Sequence, residues 1–204
     1  MMSQATLVCF SHGKESGPWG AKISAMAETA RGRGCRIESL DYRGMEDPGA
    51  RVRLLTEFCR ELGTPPVLVG SSMGGHVAAS AAAQLPVAGL FLIAPAFYMP
   101  GYEALTPEPS CPLISVVHGW DDEVVPAENS IRWSREHGAE LHLIPGDHRL
   151  TSELERILEL FEMFLERVRA EKLMKMVGFR NIAVHDYKKL NLEIVASIIR
   201  DDLE

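Results

Sequence analysis

From residue 5 onward, short apolar runs alternate with stretches in which apolar positions recur every three or four residues. The runs Thr6–Phe10, Cys35–Tyr42, Pro66–Gly70, Gly89–Ala94, Leu113–His118 and Glu140–Ile144 predict strands. Several are continuously apolar, as in Val67-Leu68-Val69 and Leu90-Phe91-Leu92-Ile93. Strands read that way when both faces are buried, which is the situation in a parallel sheet covered by helices. Helical spacing marks Trp19–Arg33, Ala50–Leu62, Met73–Leu85 and Ala127–His137, with stops at Gly32 and Gly34, Gly63 and Pro65, Pro86, and Gly138. A long amphipathic stretch, Thr151–Arg169, follows; Thr151 or Ser152 can cap it, with Glu153 and Glu155 in its positive first turn. The alternation predicts an α/β fold, a three-layer sandwich around a mostly parallel, doubly wound sheet of about six strands. One long irregular piece, Pro95–Pro112, is proline-rich, and its Phe97, Tyr98 and Tyr102 either line a pocket or pack on the surface.

Composition narrows the class. With 204 residues, 46% of them hydrophobic, the chain has the size of one domain with a short addition and enough apolar mass for a core. No apolar run approaches the ~18 residues of a membrane helix. The Met1-Met2-Ser3-Gln4 start shows no basic segment followed by an apolar one, so secretion is not expected. Cys9, Cys35, Cys59 and Cys111 lie far apart with no C-x-x-C pair, which argues against a zinc ribbon or disulfide framework and suits the cytoplasm. The net charge of −7 is uneven: residues 171–204 carry six basic and six acidic side chains, so the excess belongs to residues 1–170. An acidic body repels phosphate backbones, and neither nucleic acid nor a membrane is expected as its partner.

Chemistry enters at Gly70-Ser71-Ser72-Met73-Gly74, a G-x-S-x-G directly after an apolar strand and directly before a helix. The chain must turn sharply there for Ser72 to project from the strand end, and small residues on either side avoid clashes. A nucleophilic serine needs a base and an orienting acid, here in the chain order serine, acid, histidine. Candidates stand where strands end: Asp121 and Asp122 after Leu113–Val117, and His148 after Leu141–Ile144. Both loops lie at the carboxyl edge of the sheet, where doubly wound folds build their sites.

These motifs resemble the α/β-hydrolase superfamily, in particular its small, lid-poor bacterial esterase-like members, over about residues 5–168. Gly70–Gly74 is similar to the nucleophile elbow, His118-Gly119-x-x-Asp122-x-x-Val125-Pro126 to the acid loop, Gly146-x-His148 to the histidine loop, and Ser11-His12-Gly13-Lys14 to the oxyanion loop. The resemblance implies the strand order 2-1-3-4-5-6 and favours Asp122 over Asp121. It implies that Ser72 attacks the carbonyl of a small-molecule ester or thioester, that His148 takes its proton, and that Asp122 orients the imidazole. Backbone N–H groups of Lys14 and Met73 would hold the oxyanion, with no metal or organic cofactor. The first two strands of larger members are missing and no helical cap follows the fourth strand, which implies a small, open pocket for a modest acyl group.

Other polar residues read as structural. Asp121 suits a turn or helix cap, Ser71 a local hydrogen bond, and His12 and His118 support of strand ends. His76, one turn beyond Ser72, reads as a scaffold histidine, His137 and His142 as exposed, and Cys9 and Cys35 as buried thiols. No cluster has metal-ligand spacing, and no glycine-rich loop cradles a phosphate.

Residues 171–204 form a separate tail after the 1–170 domain. Arg180, His185 and Tyr187, with Gly178-Phe179 and Leu190–Val195, resemble the C-terminal part of HEPN-type toxin ribonucleases. That resemblance implies an RNA-cleaving Arg and His, but the earlier helices of such a bundle have no counterpart here. The expectation is therefore a helical appendage packing on the body or forming a homodimer contact. A ribonuclease acting through the tail and a non-catalytic hydrolase-like binding protein are the alternatives.

Overall fold

The computed structural model describes residues 5–100 and 106–174. Strands β1 (Leu7–Ser11), β2 (Arg36–Ser39), β3 (Val67–Ser71), β4 (Gly89–Ile93), β5 (Ile114–Gly119) and β6 (Glu140–Ile144) form one sheet. Its order is β2-β1-β3-β4-β5-β6, as expected, and every neighbouring pair is parallel. Helices α1 (Ala21–Gly32), α2 (Pro48–Arg60), α3 (Met73–Ala82) and α4 (Ala127–His137) are the connectors. A further helix, α5, occupies 154–174.

Alternation along the strands divides the core into two layers. Cys9, Leu68, Leu90, Leu92 and Val116 face Val77, Ala78 and Ala81 of α3, Val52 and Leu55 of α2, and Trp133 of α4. On the opposite face Phe91 meets Phe161 and Phe164 of α5, with ring centroids 5.2 and 5.4 Å apart, and Phe10 also approaches Phe161. The α1 C-cap residue Arg33 pairs with Glu162 of α5, so these two helices are neighbours. The small side chains of α3 let its axis lie close to the sheet, which places the start of that helix hard against the end of β3.

Differences from the expected elements have local causes. β2 was expected to reach Tyr42 but ends at Ser39, because the Tyr42 N–H donates to His12 Nε2 at 2.9 Å rather than to a strand neighbour. The last helix starts at 154, after an Asp147-capped turn and a Glu153 N–H bond to Leu150 O, so neither Thr151 nor Ser152 opens it. It also runs past Arg169 to 174. The chain divides into two units, Met1–Leu165 and Glu166–Glu204; the described part of the second, 166–174, is helical. Arg180, His185, Tyr187 and the expected dimer contact lie outside the described residues. No helix among the described residues is long and apolar enough to cross a membrane.

Phe97 and Tyr98 of the proline-rich loop serve α4 rather than a pocket. Phe97 stacks on Trp133 at 4.4 Å, and the Tyr98 hydroxyl meets Glu136. Tyr102 lies outside the described residues.

Candidate active site

Ser72 occupies the junction of β3 and α3 with φ 55° and ψ −122°, a left-handed conformation that a side chain adopts only under strain. Neighbouring hydrogen bonds over-determine it. The Ser72 N–H donates to Ile93 O at 2.9 Å and the Ala96 N–H donates to Ser72 O at 3.1 Å, tying the junction to the end of β4. The glycines of the motif follow from close approach: a Cβ on Gly74 would stand 1.9 Å from Ser11 O, and one on Gly70 would stand 2.2 Å from Gly74 O.

The structure brings Ser72, His148 and Asp122 together. His148 Nε2 lies 2.9 Å from Ser72 Oγ, and His148 Nδ1 lies 2.7 Å from Asp122 Oδ2. Asp122 is buried, and its Oδ1 accepts the N–H groups of Val124 and Val125 at 2.9 and 2.8 Å. Burial pushes its carboxyl up, but the Val125 N–H, His148 and the Val124 N–H outweigh it and hold the group below the usual carboxylate range. Carboxylate geometry therefore separates the two candidate acids: Asp121 is exposed, its backbone N–H donates to Gly146 O, and among the described residues no hydrogen bond or ion pair engages its carboxylate.

The acid and histidine loops meet because Gly119 has no side chain; a Cβ there would stand 2.3 Å from Gly146 O. Within the histidine loop, Asp147 Oδ1 accepts the N–H groups of Arg149 and Leu150, closing a turn that presents His148. Lys22 of α1 donates to Arg149 O at 2.8 Å, and burial lowers its ammonium to about 8 despite the carboxylates of Asp147 and Asp122. Sequence reading did not find Lys22, since nothing local marks it.

A cavity of about 1070 Å³ opens over Ser72. Gly13 and Lys14 of the loop after β1, Met73 and His76 of α3, and Val124 and His148 all line it. It is larger than the small pocket expected from the missing cap, because the β1–α1 loop, the acid loop and the start of α1 stand around the serine instead. The expected oxyanion donors, the N–H groups of Lys14 and Met73, thus belong to residues on the same cavity as Ser72.

The remaining histidines take scaffold positions. His12 is buried, donating from Nδ1 to Gly13 O at 2.8 Å. Burial lowers the basicity of His76, whose ring lines the cavity. Neither His137 nor His142 is exposed, contrary to expectation. The ring of His137 stacks on Trp133 at 4.4 Å, and His142 on edge strand β6 faces Glu140 at 3.5 Å. Cys9 is buried as expected, whereas Cys35 at the rim of the sheet is half-buried. Among the described residues no group of three His, Cys, Asp or Glu side chains could hold a metal ion.

A model of the alpha/beta hydrolase family matches residues 7–181. Among solved structures, the chain is similar to a protein from Xanthomonas campestris pv. campestris described as a hydrolase of the alpha/beta superfamily. The two share 32% identity and a TM-score of 0.73, over 79% of this chain and 99% of that one. Est1E from Butyrivibrio proteoclasticus is 20% identical with a TM-score of 0.71, covering 81% and 89% of the two chains. The mouse alpha/beta hydrolase domain-containing protein 10 is 18% identical with a TM-score of 0.64, covering 79% and 90%. A different likeness is short. The mRNA nuclease HepT of Shewanella oneidensis is 57% identical over 35 residues, which is 17% of this chain and 26% of the nuclease.

Proposed function

The chain belongs to the alpha/beta hydrolase family, and on that premise we propose that it is a serine hydrolase that cleaves a carboxylic ester or thioester. One observation carries the reading: Ser72 Oγ, His148 and Asp122 form a continuous hydrogen-bonded line at a strained strand–helix junction that opens on a cavity. In this reaction Ser72 Oγ attacks the acyl carbon while its proton passes to His148 Nε2, and Asp122 stabilises the imidazolium. The N–H groups of Lys14 and Met73 hold the oxyanion; removing one such donor costs about 10²–10³ in rate. Collapse expels the alcohol or thiol, which takes the proton from His148. Water then hydrolyses the acyl-serine by the same path in reverse. The reading calls on no metal or organic cofactor, and its placement is cytoplasmic, in keeping with four cysteines none of which forms a disulfide.

A fluorophosphonate probe tests it. Wild-type protein is labelled on Ser72 and Ser72→Ala is not; an unlabelled wild type, or a labelled Ser72→Ala, overturns the reading. A panel of p-nitrophenyl esters of rising chain length, run beside a thioester, then identifies the acyl group.

The nuclease likeness supports a second reading for the tail alone. Because it spans only 26% of that nuclease, we place the tail as an appendage and candidate homodimer contact. RNA cleavage lost in His185→Ala and kept in Ser72→Ala would give the chain a second activity.

A further inference from the structure

Arg51 is the unexpected residue on α2. The buried face of that helix consists of Pro48, Arg51, Val52, Leu55, Thr56 and Cys59, so the arginine stands where the helical repeat calls for an apolar side chain. It is 2% exposed. Among the described residues no carboxylate pairs with it. Its guanidinium instead donates to three backbone carbonyls: Nε to Met45 O at 2.7 Å, and Nη1 to His12 O at 3.2 Å and Gly13 O at 3.3 Å. The Tyr42 ring covers it at 5.3 Å. Burying a guanidinium without a counter-charge is costly, and an aliphatic residue would fill the same helix position. The charge therefore calls for a role beyond packing.

That role lies in what the three acceptors belong to. His12 and Gly13 open the loop that passes Ser72; a Cβ on Gly13 would stand 3.5 Å from Ser72 Cβ. In a planar trans peptide the C=O and N–H point in opposite directions. Arg51 holds the carbonyls of the His12–Gly13 and Gly13–Lys14 peptides, so their N–H groups point away from it, and the residues that carry them, Gly13 and Lys14, line the cavity with Ser72. His12 reinforces the second peptide. Its Nε2 accepts the Tyr42 N–H, which leaves the hydrogen on Nδ1, and Nδ1 donates to Gly13 O at 2.8 Å. The Gly13 carbonyl thus receives one neutral and one charged donor. Polarising a peptide at its oxygen strengthens its N–H as a donor, and a fixed cation behind the loop favours negative charge in front of it.

We propose that Arg51 is the positioning residue of the oxyanion loop: through the Gly13 carbonyl it aims and polarises the Lys14 N–H at the oxygen that becomes negative when Ser72 attacks. This rests on the serine-hydrolase reading, and the experiment separates the two. Fluorophosphonate labelling of the wild type comes first, since its failure removes that reading and with it an oxyanion for Arg51 to serve, which overturns the proposal as well. Arg51→Met and Arg51→Lys are then active-site titrated with the same probe and assayed on p-nitrophenyl acetate and on a trifluoromethyl ketone transition-state analogue. Losing an aimed donor predicts a kcat in Arg51→Met lower by roughly 10–100-fold, with KM nearly unchanged and analogue affinity falling by the same factor as kcat/KM. Arg51→Lys keeps the charge but cannot span three carbonyls, and falls between. A purely structural arginine predicts the opposite: a lower melting temperature with kcat and analogue affinity per titrated site unchanged, which would overturn the proposal. Should Arg51→Met not fold, Arg51→Lys decides, because a wild-type kcat there is equally fatal.

Discussion

His118 lies with its Nε2 3.0 Å from Asp122 Oδ2, the same carboxylate oxygen that His148 Nδ1 reaches at 2.7 Å. Two imidazoles share one acceptor, and only one of them touches Ser72. The tautomer of His118 follows from its partners. Nε2 also faces Val125 O at 3.0 Å, so it meets two acceptors and must carry the hydrogen; Nδ1 is then free to accept from Ser130 Oγ at 2.6 Å. Burial lowers the basicity of this fully enclosed ring, against Val125 O and Asp122, so it acts as a neutral donor. With Val124 and Val125 N–H on Oδ1 and His148 on Oδ2, three hydrogen bonds orient the carboxylate, and the His118 N–H beside Oδ2 adds an electrostatic contact.

His118→Phe removes that contact while keeping a ring in the site. Hydrogen bonds to charged groups contribute about 1.5–3 kcal/mol, which corresponds to a loss of roughly 10–100-fold in kcat/KM. Ser130→Ala leaves the Nε2–H bond in place and has a smaller effect. Ester hydrolysis by the two purified variants checks this, and His118→Phe at wild-type kcat/KM would show that Val124 and Val125 suffice to hold the acid.

Adjacent aspartates give a sharper contrast. Asp122→Asn keeps the shape of the site but offers the wrong partner to His148 Nδ1, and kcat falls by about 10⁴. Asp121→Asn changes an exposed side chain whose carboxylate takes part in no hydrogen bond or ion pair among the described residues, so kcat is unchanged. Paired steady-state kinetics decide between them, and a larger loss in Asp121→Asn would reassign the acid.

The contrast also marks what could be read from the chain without a structure. Apolar runs and helical spacing are local signals, and they located the six strands and the helices between them, whereas the order of the strands in the sheet came from the family resemblance. The G-x-S-x-G spacing placed the elbow, since a Cβ on Gly74 collides with Ser11 O whatever the rest of the fold does. Arg51 was not singled out from the sequence: a cation on the apolar stripe of a helix is the signal that could have found it, but nothing in the sequence says which carbonyls it meets. The partnership of His118 with Ser130, and of Lys22 with Arg149 O, join residues from different elements. Such pairings are set by how α4 and α1 pack and leave no periodic trace. Cavity size was misjudged for the same reason, because loops that surround Ser72 are placed by tertiary contacts.

Acid should weaken the fold before the carboxylates titrate. His12, His76 and His118 are all held below the ordinary histidine value, with burial the leading cause. Unfolded chain therefore binds protons that the folded state refuses. The stability from keeping these rings neutral is fully present above about pH 6.5 and is lost as pH falls from there through their lower folded values. Asp122, also held below its ordinary value, adds a loss that begins only in the carboxylate range. Urea midpoints at pH 7.5 and 5.5 test this: the midpoint drops in wild type and drops less in His76→Gln. A flat profile across that interval would mean that the three rings accept protons without unfolding.

Ser72 itself should reduce stability in proportion to its usefulness. Its φ of 55° with ψ of −122° belongs to a region that glycine enters freely and that side chains enter at a cost of about 1–3 kcal/mol. Ser72→Ala removes the hydroxyl but keeps the Cβ, so the strain stays. Ser72→Gly removes the Cβ and releases the strain, against an entropic penalty for glycine of roughly 0.5–1 kcal/mol. The balance favours glycine over alanine by about 1 kcal/mol, or about 2–4 °C in Tm for a domain of this size. Both variants lack the proposed nucleophilic hydroxyl, so the difference isolates the backbone. Thermal melts of the two side by side measure it. If Ser72→Ala is the more stable, the junction is relaxed in solution, and the hydrogen bonds from Ser72 N–H to Ile93 O and from Ala96 N–H to Ser72 O do not hold the serine in the strained conformation that exposes its hydroxyl.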